Sequence, residues 1–216
     1  MQAVQVVAGG LAAADDNGIH LSSTPSAGAV SLDGALVTGG VAYLGDARRV
    51  LVTTADNETG KTMTITGTDA NGNIQTDTVS LPNTSTVYTS LDFLTVTGIT
   101  ISATAAAAII IGTNGIGGSR WVRLNDFAPS NISIQCDVSG TVNFTVQSTL
   151  DDPNDPFSPT PAEDVVWVDS SDLAVVAANS TQQSNFLFTP KYAKILINSG
   201  SGTVTATFLQ SSNGPR

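Results

Sequence analysis

The sequence predicts an all-β protein, on the strength of three observations. Short runs rich in Val, Ile, Thr and aromatic residues recur along the chain, Gly, Asn, Asp and Pro separate them at close intervals, and long helical periodicity is almost absent. Alternation of apolar and polar residues within short runs is typical of strands with one buried face. We therefore expect two small β-sandwich or jelly-roll-like units preceded by an extended N-terminal arm.

The first forty residues are rich in Ala and Gly and poor in large core-forming side chains. Such a segment gains too little burial to offset the entropy of ordering it. We interpret residues 1–40 as an arm that becomes ordered on a neighbouring chain, by adding a strand to its sheet edge; an irregular edge of the first domain is the alternative. The candidate partner-binding residues are its apolar side chains, Val4, Val6, Val7, Leu11, Ile19 and Leu21.

Residues 41–116 are predicted to form the first β domain. Lys61–Thr68 has a strand pattern, and the Asn-Gly pair at 71–72 supplies a hairpin turn because it accepts the positive φ that tight turns require. Asn73–Leu81 then returns as the partner strand, and a bulge is expected at Gly98 in the strand that follows. The predicted core consists of Val50, Val52, Ile65, Val79, Val96 and Ile101.

A glycine-rich run, Gly112–Ser119, predicts a flexible connection, and the second β domain is placed at residues 117–216. This domain contains a partial repeat, since Ile132–Val146 and Ile195–Phe208 each read as strand, Ser-Gly turn, strand. Two such hairpins would form the two layers of a sandwich. Asp152–Pro161 is predicted to be a surface loop because its prolines lack donors. The predicted core consists of Trp121, Ile132, Ile134, Phe144, Val146, Ile195, Ile197, Val204 and Phe208.

The charge pattern argues against direct contact with nucleic acid. Eighteen acidic and eight basic residues give a net charge of −10, and no run of Lys or Arg is present to follow a phosphate backbone. The apolar run at residues 103–111 is too short to cross a bilayer, and the N-terminal segment lacks the basic residue of a secretory signal. We expect no membrane contact and synthesis in a cytoplasm.

Candidate chemical groups are few. The single cysteine, Cys136, and the single histidine, His20, exclude an internal disulfide and multi-Cys or multi-His metal sites. Because His20 falls in the weakly packed arm, a Ser/His/Asp triad is disfavoured, and Cys136 is expected to be a small core side chain. The acidic residues of 151–164 favour a solvated loop, with calcium binding as the alternative. We predict no enzymatic activity, no cofactor and no metal.

Two parts of the chain resemble virion proteins of tailed bacteriophages. Thr64–Gly112 (TITGTDANGNIQTDTVSLPNTSTVYTSLDFLTVTGITISATAAAAIIIG) resembles a β-rich segment of such proteins. The part from Trp121 through SGTVNFTVQSTLDDP to INSGSGTVTATFLQ is similar to small β-sandwich proteins encoded among phage head and tail genes. The motifs are patterns of Thr, Gly and turn residues and contain no active-site signature.

The resemblance implies a non-enzymatic capsid decoration or cement subunit that bridges and stabilises coat subunits of a virion. Its expected partners are the major capsid protein, other virion proteins and further copies of itself. A subunit of the head-tail junction or the tail is the alternative within the same class. A secreted or cell-surface adhesive β-module that binds carbohydrate or protein is the alternative from another class.

Overall fold

The computed structural model describes residues 2–125 and 132–210. It is 56% strand and 3% helix, so the all-β prediction is confirmed. Two short 3₁₀ turns, Ala162–Asp164 and Leu173–Val175, are the helical part of the described chain. The strands are β1 (Gln2–Gly9), β2 (His20–Ser23), β3 (Gly28–Ala29), β4 (Val37–Thr38), β5 (Val41–Thr54), β6 (Thr62–Thr68), β7 (Ile74–Ser80), β8 (Thr86–Ile101), β9 (Ile109–Gly118), β10 (Val122–Arg123), β11 (Ile132–Ser139), β12 (Val142–Thr149), β13 (Val168–Asp169), β14 (Gln182–Phe186), β15 (Tyr192–Gly200) and β16 (Thr203–Gln210).

The chain divides into two compact units. The first unit comprises Ala12–Gly115. The other, here called the composite unit, joins Met1–Leu11 to Ile116–Arg216, so it is built from both ends of the chain. The chain therefore leaves the composite unit after Leu11 and returns to it at Ile116.

The prediction that residues 1–40 form a separate N-terminal arm is wrong, because these residues belong to the two compact units. Strand β1 pairs antiparallel with β16 without interruption, from Gln2 opposite Gln210 to Gly9 opposite Thr203. The remainder of residues 1–40 belongs to the first unit, where Ile19 is fully buried in the core. Every second residue of β1 packs against the core of the composite unit, namely Val4, Val6 and Ala8, so a strand of small apolar residues is enough at this sheet edge.

The predicted flexible connection at Gly112–Ser119 is also wrong. Most of this run lies in β9, which pairs with β2 near its start and with β15 at its end, where Gly118 lies opposite Leu196. A Cβ atom at position 112 would collide with the backbone carbonyl of Asp15. Glycine is therefore needed here for close approach of two backbone segments, and not for freedom of movement.

In the first unit the hydrogen-bonded order of strands is β9-β5-β8-β6-β7, with β2 on β9, β3 on β8 and β4 on β5. The β6–β7 hairpin is confirmed, and its turn contains Gly72 with φ of 84°. The Asp69 carboxylate accepts hydrogen bonds from the backbone N–H groups of Asn71 and Asn73, at 2.8 and 2.9 Å. The turn is thus held by a side chain as well as by its glycine.

The bulge predicted at Gly98 is confirmed. Thr66 of β6 lies opposite Gly98 of β8, whereas the next residue, Gly67, lies opposite Val96, so one residue of β8 is unmatched. The six predicted core residues of this unit are all buried together in one cluster, namely Val50, Val52, Ile65, Val79, Val96 and Ile101.

The composite unit contains two sheets that enclose one core. One has the order β1-β16-β11-β14, and the other contains β13-β12-β15 with β10 on β15. The predicted hairpins are wrong: Ile134 of β11 pairs with Phe208 of β16, and Val146 of β12 pairs with Ile195 of β15. Each Ser-Gly turn therefore joins strands of different sheets. Two successive strands show the same alternation of apolar residues whether they pair in one sheet or lie in two sheets that face each other across a core. The sequence pattern therefore does not distinguish the two arrangements.

The predicted core of the composite unit is confirmed residue by residue. Eight of the nine side chains belong to its main cluster, and Trp121 packs in a smaller cluster with Val165 and Tyr192. The Trp121 and Tyr192 rings meet edge to face at 6.4 Å between centroids. Residues 152–161 contain no strand, as their prolines predict.

Candidate functional site

A group of large apolar side chains is exposed where the chain runs between β12 and β15. Leu150, Val166, Val168 and Phe188 line a groove of about 260 Å³ together with Ser148, Thr149 and Asp151. We call these four apolar side chains the apolar groove. Contiguous exposed apolar surface on a folded protein commonly marks a contact with another molecule.

The groove owes its shape to the edge of the sheet. Strand β13 pairs with β12 over only two residues, with Val168 opposite Ser148. The backbone N–H of Val166 donates to the Asp151 carboxylate at 2.7 Å, which anchors the segment leading to β13 beside the end of β12. Since Val165 is buried and Val166 follows it in extended chain, Val166 points outward.

Phe157 is the most exposed large apolar side chain among the described residues of the composite unit, at 95%. Its backbone N–H donates to the Asp155 carboxylate at 2.8 Å, and that of Ser158 donates to the same oxygen at 3.0 Å. These backbone hydrogen bonds hold the pKa of Asp155 below its ordinary value, so the carboxylate is ionised at neutral pH. The turn therefore presents the Phe157 ring to solvent from a hydrogen-bonded loop.

In the acidic loop, residues 151–164, the negative charge of Asp152 lies beside two basic side chains of the same chain. Asp152 is buried and accepts hydrogen bonds from the Asn154 backbone at 2.9 Å and the Tyr192 hydroxyl at 3.2 Å. Its other carboxylate oxygen lies 3.6 Å from the Arg123 guanidinium and 3.9 Å from the Lys191 ammonium. Within residues 2–125 and 132–210, no cluster of three or more metal-ligating side chains is present.

His20 lies in a hydrogen-bonded cluster that the sequence did not predict. The side chain is 1% exposed, with Nε2 2.8 Å from the Ser23 hydroxyl and Nδ1 3.0 Å from the Asp33 carboxylate. Asp33 also accepts hydrogen bonds from the Leu21 backbone N–H and the Ser31 hydroxyl. The Leu21 bond is the largest cause of an Asp33 pKa below its ordinary value. The premise that His20 is weakly packed is therefore wrong.

Strand alternation concealed this cluster. In a regular strand, residues 20 and 23 would point to opposite faces of the sheet. The pairing of β2 with β9 is irregular between His20 and Ser23, which places both side chains on the same side. No motif in the sequence signals such an irregularity, and Asp33 lies on a different segment.

The predicted partner-binding residues fall into two groups. Val6, Leu11 and Ile19 are buried within their own chain, and Val4 packs partly buried against the composite core, so their assignment to a partner is wrong. Val7 and Leu21 are exposed, at 61% and 45%, and remain candidates. Four of the six side chains are thus buried or partly buried against other residues of their own chain.

Cys136 is a core side chain, as predicted. It is fully buried in β11, and burial raises the pKa of its thiol to about 12. Because the thiolate is the reactive form, this cysteine is inert at neutral pH.

Comparison of the chain with family models, with curated proteins and with solved structures finds no match. In the part of the chain that the structure describes, no helix is long and apolar enough to cross a membrane.

Proposed function

We propose that this chain is a non-enzymatic structural subunit of a tailed-phage virion, assembled in the host cytoplasm. Its most specific role is that of a capsid decoration or cement subunit that bridges and stabilises coat subunits. The partners are the major capsid protein or other virion proteins, together with further copies of the chain. The observation that carries the proposal is the apolar groove on the composite unit, which a subunit contact would cover.

The energetics of the groove favour a repeated assembly. Covering four partly exposed aliphatic and aromatic side chains supplies on the order of 5 kcal/mol of burial free energy. Association of two free proteins costs about 4 to 15 kcal/mol in translational and rotational freedom. One groove alone therefore gives a weak contact. On a particle, several contacts per subunit act together, and each later contact forms at high effective concentration.

The outer face of one sheet is rich in amide and hydroxyl groups, with one carboxylate, Asp137, hydrogen-bonded to Gln135, and suits a hydrated interface. Gln5, Thr207, Gln135 and Gln183 lie opposite one another on four adjacent strands. The Gln5 amide donates to the Thr207 hydroxyl at 3.0 Å. Amide and hydroxyl groups can form wet interfaces without the cost of desolvating charges, and only 12% of the chain is charged.

The test measures incorporation into particles. Val168→Asp places a charge in the apolar groove and should abolish or strongly reduce the amount of protein that co-sediments with purified particles. Ile74→Asp, at an exposed position of β7 in the first unit, is the matched control and should incorporate normally. Circular dichroism checks that both variants fold. Normal occupancy of Val168→Asp would exclude the groove, and absence of the unmodified protein from particles would overturn the virion role.

The head-tail junction or the tail is the alternative location within the same class. Electron microscopy of particles carrying a tagged chain distinguishes these locations from the capsid surface. Density at the junction or along the tail would replace the decoration assignment and would keep the structural role.

A second candidate function, adhesion to carbohydrate, is favoured by a groove of about 390 Å³ on the same sheet, where amide and hydroxyl groups lie beside apolar surface. The groove is lined by Ser133, Ile134, Gln135, Gln183, Ser184, Thr207 and Leu209, and Gln135, Gln183 and Thr207 present polar side chains there. Neutral amides and hydroxyls are suitable partners for sugar hydroxyl groups. Glycan-array binding that is lost in Gln135→Ala, with the protein recovered from envelope fractions and not from particles, would favour an adhesive module.

A further inference from the structure

Ser23, His20 and Asp33 form a hydrogen-bonded row in the first unit that subunit contacts do not explain. The Ser23 hydroxyl lies 2.8 Å from Nε2 of His20, and Nδ1 of the same ring lies 3.0 Å from Asp33. Ser23 is exposed, whereas His20 is buried beneath it. A hydroxyl, a base and an orienting carboxylate in this order are the geometric features of an activated nucleophile.

The hydrogen bonds determine where the protons lie. The ionised Asp33 carboxylate can only accept, and it receives the Leu21 N–H at 2.8 Å and the Ser31 hydroxyl at 3.0 Å. In the neutral form of His20, Nδ1 therefore carries the ring proton and directs it to Asp33, with the Ser31 oxygen 3.2 Å from the same nitrogen. Nε2 is left with its lone pair, so it accepts the hydrogen bond of the Ser23 hydroxyl.

We propose that Ser23 is a nucleophile activated by His20 and that it is acylated by activated carboxylic esters. The Ser23 oxygen forms a bond to the ester carbonyl carbon while its proton passes to Nε2 of His20. The bond from that carbon to the leaving oxygen then breaks, and the leaving oxygen takes the proton from Nε2. The products are an acyl-Ser23 ester and one alcohol or phenol, with no change of oxidation state.

Ser23 is acylated once per chain, and this reaction does not depend on the structural role of the protein. Turnover would need, in addition, donors placed for the oxyanion of the intermediate. Asp33 acts here as a positioning residue, because it contacts the base and not the acyl donor. It fixes the tautomer of His20 and the orientation of the ring.

The first experiment uses the full chain and p-nitrophenyl acetate. We expect one acetyl group per chain, located on Ser23 by peptide mass spectrometry, and release of an equivalent amount of p-nitrophenolate. Ser22→Ala is the matched control, since Ser22 is the neighbouring exposed serine, and it should be acetylated normally. Ser23→Ala should lose the label. Absence of acetylation, or labelling at other residues only, would overturn the proposal.

A second experiment separates activation from folding. Ser23→Cys places a thiol next to His20, and it should react with iodoacetamide about tenfold or more faster than Ser22→Cys. The native thiol contributes little background because Cys136 is buried. Asp33→Asn in the Ser23→Cys protein should reduce this advantage while the melting temperature shows that the protein is folded. Equal alkylation rates of the two cysteine variants would show that His20 does not activate position 23.

Discussion

The guanidinium of Arg48 donates a hydrogen bond of 2.7 Å to the backbone carbonyl of Asn114. The same nitrogen donates to the carbonyl of Ala12 at 2.8 Å. Ala12 begins the first unit and Asn114 is the residue before its last, so one side chain joins the two points at which the chain enters and leaves this unit. Arg48 is 2% exposed, and burial lowers its pKa from the ordinary value.

Arg48→Met should lower the free energy of unfolding of the first unit by about 3 kcal/mol, because two carbonyls lose a charged donor. Urea denaturation measures the loss. Arg123→Met is the control, because it removes the same charge from a side chain that is half exposed and lies 3.6 Å from the Asp152 carboxylate. It should lower the free energy of unfolding by less than about 1 kcal/mol. Equal effects of the two changes would contradict the role of Arg48.

Gly112→Ala and Gly115→Ala test why glycine occurs in β9. An added methyl group at 112 meets the backbone of Asp15 and Asp16, whereas at 115 it meets open space. We expect Gly112→Ala to destabilise the protein by about 3 kcal/mol and Gly115→Ala to change stability by less than about 0.5 kcal/mol. Thermal and urea unfolding report both. A flexible connection would tolerate the two substitutions equally.

Glu58 predicts a dependence of stability on pH. Its carboxylate is fully buried and accepts hydrogen bonds from Lys61 at 2.6 Å and from the backbone N–H of Ala106 at 2.7 Å. Burial raises its pKa, but the hydrogen bonds with Lys61 and with the backbone of Ala107 and Ala106 outweigh burial and hold the pKa below its ordinary value. Because the folded pKa is lowered, the stabilisation is fully present above the unfolded pKa and is lost as pH falls through the folded pKa.

Glu58→Gln should therefore reduce stability near neutral pH by about 1 to 2 kcal/mol. The difference from the unmodified protein should shrink as the pH is lowered below about 4.3. Urea titrations at several pH values measure both effects. Glu163→Gln, at an exposed position, is the control. A difference independent of pH would show that Glu58 acts through packing and not through its charge.

The acidic loop gives a paired test of cation binding. Asp155→Asn should be tolerated, because an Asn side-chain oxygen also accepts the N–H groups of Phe157 and Ser158. Asp152→Asn should cost about 1 to 2 kcal/mol, because it removes the charge that faces Arg123 and Lys191. Melting curves with and without a chelator measure both. A fall in melting temperature on chelation, lost in Asp152→Asn, would indicate a bound cation.

The elements predicted correctly are those specified by neighbouring residues. The turn at Gly72 and the bulge at Gly98 follow from local glycine chemistry, and the core residues follow from alternation. Pairing of β11 with β16 depends on residues far apart in the chain, which alternation cannot identify. The row from Ser23 to Asp33 was not predicted because it depends on an irregular strand. The apolar groove lies at an edge strand of only two residues, and the sequence pattern does not indicate how few residues of this segment pair with β12.

The composite unit imposes an order of folding during synthesis. Residues 12–115 form one continuous segment, so they can fold into the first unit while the residues that follow are still being synthesised. Strand β1 is made before residues 12–115 but pairs with β16, which is made after them, so β1 must remain unpaired until β16 has been synthesised. For that period Val4 and Val6 lack the core that later buries them. The nascent chain thus carries an uncharged, aggregation-prone strand ahead of the first unit, which a ribosome-associated chaperone would protect.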